Sequence, residues 1–302
     1  MIERLSLKFV WSNSIGLSRT LLALATLITL LFNPFNQLFN EGTPACDALG
    51  ISIFCLLKDK IWLLKSFCFI VLSLVIMGWR PRFTCLLHWW ISYSFANSGA
   101  VIDGGDHICV ILTTLLIPVC LTDSRKWHWN YFNDLNQGDF SYLFAAKSIM
   151  ASTTLFVIKV QVSFIYLHSA VAKVSVKEWL DGTALYYWFT HPVFGANDTL
   201  KPILLPIVTH EYISAYLTWL VILFEFSLFA GIFMNKKTKT FFFVLGIAFH
   251  FGIFLLHGLF TFFLVMSSAL ILYLHPEHNP KLLRLSDRTL SNVSSKIKLS
   301  IK

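Results

Sequence analysis

Long apolar runs, each close to the length of a membrane crossing, recur along almost the whole chain and decide what it can fold into. They fall near residues 17–35, 61–78, 84–102, 107–122, 153–174, 213–234, 240–257 and 259–274. A helix needs roughly 20 apolar residues to cross the ~30 Å hydrocarbon core. Charge agrees with this reading: of 302 residues 13% are charged and 56% apolar, about half the charge expected of a soluble domain. The expected fold class is therefore all-α, a polytopic membrane helix bundle of eight transmembrane helices embedded in the lipid bilayer. The count drops to seven if the short runs 107–122 or 259–274 are tilted partners or re-entrant pieces. Residues 1–275 form one helix-bundle domain, and 276–302 a basic cytoplasmic tail.

Lysine and arginine set the orientation. With the N-terminus in the cytoplasm, seventeen basic residues fall in inside segments and six, Lys58, Lys60, Lys65, Lys173, Lys177 and Lys201, fall outside or at the outer boundary. An even number of spans returns the C-terminus to the cytoplasm. The net charge of +8 is thus topological, and no basic face with interleaved aromatics points to nucleic acid. The first apolar run is too long for a signal-peptide core and lacks a nearby small-residue cleavage site, so it reads as a retained span. Loop 123–140 has an interfacial composition with aromatic anchors. Residues 183–212 predict a helix lying in the outer interface and a short piece leading into the sixth span.

Six cysteines divide by this topology. Cys68, Cys85, Cys109 and Cys120 lie in spans, where a thiol packs as a small apolar group. Cys46 and Cys55 share the outer loop 36–60, where oxidising conditions let disulfides persist, and a Cys46–Cys55 bridge is expected.

Ionisable groups inside spans are costly and mark function by default. The fifth run carries Lys159, Gln161, Tyr166, His168 and Lys173, closed by Glu178-Trp179-Leu-Asp181-Gly182. Lys159, Tyr166 and Lys173 are seven apart and share a helix face, but the two lysines lie ~21 Å apart along the axis and cannot serve one centre. A desolvated Lys173 can act as base or nucleophile, and the alternative is snorkelling to the headgroups. Glu225, mid-span in the sixth run, needs a proton or a cationic partner such as Lys159. His250 and His257 share a face of the seventh run, readable as haem ligands or as interhelical hydrogen-bonding groups. Asp103-Gly-Gly-Asp106-His107 reads as a tight turn with solvated acids facing the outer cavity, without the ligand pattern of a calcium loop; no metal is expected. No zinc-protease helix, nucleophile elbow, P-loop or dinucleotide fingerprint occurs.

Gln161-Val-x-Phe-Ile-Tyr166, Ala172-Lys173 and Glu178-Trp179-x-x-Gly182 resemble the membrane domain shared with vitamin K-dependent gamma-carboxylases. Within that group the chain resembles the sporulation-delaying protein B family. The supporting stretches are Gly16-Leu-Ser-Arg19, Gly78-Trp79-Arg80-Pro81-Arg82, Ile102-Asp103-Gly104-Gly105, Leu121-Thr-Asp123-Ser-Arg125, Pro192-Val-Phe-Gly195 and Tyr273-Leu-His-Pro276. The resemblance implies a multi-pass bacterial plasma-membrane protein needed to mature a secreted antimicrobial toxin peptide. Its implied partners are the toxin peptide precursor and a small maturation protein. The carboxylase resemblance implies a different reading, a quinol-dependent enzyme that modifies the peptide. Lys173 is then the base, and a membrane quinone or quinol sits near Tyr166, His168, Gln161 and Trp179. No counterpart of the carboxylases' large extracellular substrate-binding domain is expected.

Overall fold

A computed structural model describes residues 10–39, 44–46, 50–130, 142–192 and 194–275. The expected tail 276–302 and most of loop 123–140 lie outside these residues. Each of the eight apolar runs becomes a helix: α1 (Asn13–Phe32), α4 (Ile61–Met77), α5 (Pro81–Ser98), α6 (Gly104–Thr122), α7 (Tyr142–Val174), α11 (Glu211–Phe229), α12 (Lys236–His257) and α13 (Phe260–Leu274). Short helices fill two connections: α2 (Phe35–Leu38) and α3 (Ile53–Leu56) after α1, then α8 (Lys177–Leu180), α9 (Ala184–Thr190) and α10 (Lys201–Val208) after α7. No strand occurs among the described residues, and the fold is an all-α bundle.

Five of these helices, α1, α6, α7, α11 and α12, are long and apolar enough to cross a membrane. The run 107–122, expected to be short, gains a full first turn because Asp103 caps it. The Asp103 carboxylate accepts from the Asp106 N–H while the Asp106 carboxylate accepts from the Asp103 N–H. This reciprocal box satisfies two orphan donors at once. Helix α13 is short, at 15 residues. Its last eleven residues, Leu264–Leu274, are all buried, and it packs against α1, α6, α7 and α12. A helix apolar on every side belongs in the middle of a bundle.

Two apolar clusters share α1. One joins α1, α6, α7, α11 and α13; the other joins α1, α4 and α5 with Leu38, Phe39, Ile53 and Phe54 from the loop helices. The Cys46–Cys55 disulfide closes that loop, as its composition predicts. Ala45 N–H donates to Ser98 and Ala100 N–H to Leu38, tying the loop to the end of α5. The chain therefore has two well-defined ends. One gathers the start of α1, the 78–82 turn and residues 123–130; the other gathers the disulfide loop, the 99–103 turn and α8–α10.

Candidate functional site

Helix α7 runs 33 residues, ~50 Å at 1.5 Å per residue, and begins well before the expected start at 153. Ser163, Tyr166, Ser169 and Lys173 fall three or four apart and form one stripe. Each finds a partner on another helix or on its neighbour in the stripe. Ser163 Oγ donates to the Phe229 carbonyl at 2.8 Å, a carbonyl that also accepts from the Tyr273 hydroxyl at 2.9 Å. Tyr166, 2% exposed, pairs its hydroxyl with His250 Nε2 at 3.0 Å. In either hydrogen-bond direction His250 Nδ1 is left without a partner among the described residues.

Lys173 ends the stripe in a closed arrangement. Its ammonium donates to Glu225 Oε1 at 2.9 Å, Glu225 Oε2 at 2.8 Å and Ser169 Oγ at 2.7 Å, while Ser169 Oγ donates to Glu225 Oε1 at 3.1 Å. The three N–H donors of an ammonium are thereby all used. The Trp179 ring covers it, with Nζ 5.2 Å from the ring centroid, a cation–π contact. Glu225 pairs with Lys173, not with Lys159, the cation proposed for it from sequence. Lys159 lies ten residues before Glu225's neighbour Ser169, ~15 Å back along α7.

A cap over this pair comes from the segment after α7. The helix ends when Ser175 and Val176 turn their N–H groups back to Ala172 and Lys173. Gly182, in the left-handed region at φ +82°, then lays its carbonyl against α11, accepting from Ser214 and Thr218 hydroxyls. Trp219 donates to the Leu180 carbonyl. Between them, the Thr183 hydroxyl and N–H hold the Asp181 carboxyl below its usual pKa. Thr218 is seven residues from Glu225 on α11, ~10 Å along the axis. Lys173, in the last turn of α7, thus lies under the Trp179 ring of α8.

The remaining sequence candidates separate from this centre. Gln161 is half-buried and His168 is exposed, both one face away from the stripe; the His168 ring meets Phe164. Asp103 and Asp106 are occupied with capping α6, and His107 is exposed beside them. His257 leaves His250 and joins the outer segment. Its Nδ1 donates to the Phe194 carbonyl at 2.7 Å, and it lines a cavity of about 570 Å³ with His191, Asn197, Asp198 and Lys201. No group of three metal-ligating side chains occurs among the described residues.

A second polar cluster, at the opposite end, was not foreseen. Arg19, 2% exposed, donates to Thr84 Oγ1 at 2.9 Å and to His128 Nδ1 at 3.3 Å. Asp123 takes both ends of the Arg125 guanidinium, and Arg125 also donates to the His128 carbonyl at 2.7 Å. The backbone closes around them: His128 N–H donates to Gly78, Arg80 N–H to Lys126, and Trp79 bridges Trp127. Gly16 and Gly78 leave the space the His128 ring fills, since a Cβ on either would collide with it. Burial pushes the His128 imidazole pKa down to about 3, helped by the Arg19 and Arg125 charges.

The aligned relatives span nearly all of this architecture. The chain is 40% identical over 272 residues to sporulation-delaying protein SdpB of Bacillus subtilis (strain 168), covering 88% of this chain and 82% of that protein. The chain belongs to the SdpB family. It is also 37% identical over 274 residues to the uncharacterized protein YitO of the same strain, covering 88% of this chain and 86% of that one. No protein-family model matches, and no solved structure matches.

Membership gives the unforeseen cluster a reading in sequence. Gly16–Arg19, Gly78–Arg82 and Leu121–Arg125 are three of the stretches that carried the resemblance to the SdpB family, and all three converge on His128. Composition alone assigns these arginines a topological role. The signal available was Arg19 itself, a cation with an unbroken apolar run behind it from Leu21 to Ala25.

Proposed function

We propose that this chain is a multi-pass plasma-membrane factor, with both termini cytoplasmic, that matures a secreted toxin peptide of the sporulation-delaying kind. It acts on the peptide precursor together with a small partner protein, and its working centre is the Lys173–Glu225 pair beneath Trp179. The family relative named as a sporulation-delaying protein supports the toxin reading. The observation that carries the site is the pair itself: a fully hydrogen-bonded ammonium and a carboxylate inside a helix bundle, capped by an aromatic ring. Buried ion pairs cost desolvation that an apolar pair of the same size avoids, so one held this way in a membrane protein argues for use.

The carboxylase-like alternative, with Lys173 as base toward a quinol, demands more of the same residues. An ammonium with all three hydrogens engaged has no lone pair. For Lys173 to take a proton, the pair has to open and pass one proton to Glu225 first. In that scheme Glu225 is the proton store and Lys173 the base, and Tyr166 and His250 lie within the electrostatic reach of the pair.

Mass spectrometry of the secreted peptide tests both readings, in cells making precursor and partner with the native chain, Lys173→Arg or Lys173→Ala. Both variants are checked for membrane insertion. Loss of mature peptide in Lys173→Ala supports the site, and full output from it overturns the site. Rescue by Lys173→Arg, which keeps a charge that does not deprotonate, sinks the base scheme and leaves maturation standing.

A further inference from the structure

The 191–201 connection and the last turn of α12 enclose a cavity of about 570 Å³, within the ~300–1,000 Å³ usual for small-molecule sites. Two hydrogen bonds tie its walls together. Asn197 N–H donates to the Leu256 carbonyl at 3.4 Å, and His257 Nδ1 donates to the Phe194 carbonyl at 2.7 Å. Phe189, Ala196 and Val208 pack with Leu256 in an apolar cluster beside it. Gly195 permits the tight turn of the connection, since a Cβ there would collide with the His191 carbonyl.

The Phe194 peptide group sets the polarity of this cavity. Its N–H donates to His191 Nδ1 at 3.0 Å, which holds the peptide plane, and its carbonyl takes the Nδ1 proton of His257. A neutral His257 ring therefore keeps its lone pair on Nε2, as an acceptor. Asp198 and Lys201 line the same cavity and add one anion and one cation. Their charges balance, so a ligand of one sign leaves a side chain uncompensated. A zwitterion whose cation carries N–H donors matches Lys201, Asp198 and His257 together.

The α12 wall of the cavity is apolar, formed by Phe254, Leu255 and Leu256. From Leu255 an exposed stripe runs back along α12 through Phe251, Ala248, Val244 and Phe241, residues three or four apart on one helix face. It spans 14 residues, ~21 Å, against the ~15 Å of hydrocarbon in one leaflet. Exposed Tyr187 and Trp188 stand at the cavity end, where Trp188 meets the His257 ring edge-on, and such aromatics mark headgroup depth. We propose that the cavity holds the headgroup of a phosphatidylethanolamine lipid. The phosphate lies against Lys201, the ammonium against Asp198 and His257 Nε2, and the acyl chains follow the α12 stripe. A primary ammonium donates to both acceptors, which the quaternary ammonium of choline cannot do. This site shares no residue with the Lys173–Glu225 pair and does not depend on which end of the bundle faces outward.

The test uses the full chain, delipidated in detergent and titrated with phosphatidylethanolamine, phosphatidylcholine or phosphatidylglycerol of identical chains, with bound lipids counted by native mass spectrometry. One phosphatidylethanolamine should bind about tenfold more tightly than either of the others, the worth of one hydrogen bond to a charged group. Asp198→Asn and Lys201→Gln should each cut that preference several-fold, while Lys237→Gln, at the far end of α12, should leave it intact. Glycerophosphoethanolamine, the same head without chains, should compete only in large excess. Equal binding of the three lipids, or a preference untouched by both cavity variants, overturns the proposal. Competition by the chainless head as strong as by the lipid also overturns it, and gives the cavity to a soluble phosphoamine. If a cavity variant does not fold, the native chain's preference and the competition still decide.

Discussion

At Lys173 the chemistry is set by hydrogen-bond counting. Three donors meet two carboxylate oxygens and a serine, and the serine returns its own proton to the same carboxylate. Removing either charge strands the other in the bundle. Lys173→Met or Glu225→Met should each lower stability in detergent by about 3–5 kcal/mol, whereas the double change Lys173→Met/Glu225→Met should cost much less than the sum. Thermal unfolding of the four proteins gives the coupling energy, and additive losses would mean the pair is not coupled. His128 supplies a pH dependence of known sign. Its pKa falls from an ordinary 6.5 in the unfolded chain to about 3 in the fold, so between those values the unfolded state binds the extra proton. Stability should therefore fall as pH drops below 6.5, by up to about 1.4 kcal/mol per unit until pH nears 3, and stay flat in this respect above 6.5. Subtracting the acid limb of a His128→Asn variant isolates the effect, and identical limbs would refute it.

Among the helices, run length foretold a helix at each of the eight apolar stretches, and five of those helices are long and apolar enough to cross a membrane. Ends were less legible. The Asp103–Asp106 box lengthens α6, and α7 extends back to Tyr142 because Tyr142-Leu-Phe-Ala-Ala-Lys147 carries good helix formers that are not all apolar. Partners across helices were least legible. Glu225 was known to need a cation, but spacing on one helix says nothing of which residue of another stands opposite, and α8 with its Gly182 turn sets that register. Two kinds of glycine make this testable. Gly182→Ala meets both a left-handed backbone and the Ala215 side chain, and Gly78→Ala meets a left-handed backbone and the His128 ring. Each should destabilise by more than about 1 kcal/mol. Gly252, inside α12 with open space where a Cβ would go, should instead gain about 0.5–1 kcal/mol as alanine. Melting temperatures of the three variants separate the cases, and a stabilised Gly182→Ala would contradict the docking of that turn on α11.

Across the whole molecule the two polar centres lie toward opposite ends, and sidedness decides what each can meet. The Arg19–His128 cluster gathers with the turn bearing Arg80 and Arg82, and Lys236 and Lys237 begin α12 after an odd number of further crossings from Asp103. Counting helices from α1 puts Lys237 on the same side as Arg80 and puts Asp198 on the side of the disulfide. On the proposed topology the positive-inside bias sends the first of these to the cytoplasm. Both Asp198 and Lys237 are exposed, so a single cysteine at either should react with a soluble maleimide if the compartment permits. In intact cells Asp198→Cys should label at once, and Lys237→Cys should label only after the membrane is permeabilised. The reverse pattern would turn the molecule over, placing the Cys46–Cys55 bridge in the reducing cytoplasm and the Trp179 cap out of reach of a secreted peptide. Labelling of both sites in intact cells would break the alternation of spans itself. The capped ion pair can receive a precursor leaving the cell only if Asp198, and with it the cavity beside His257, faces outward.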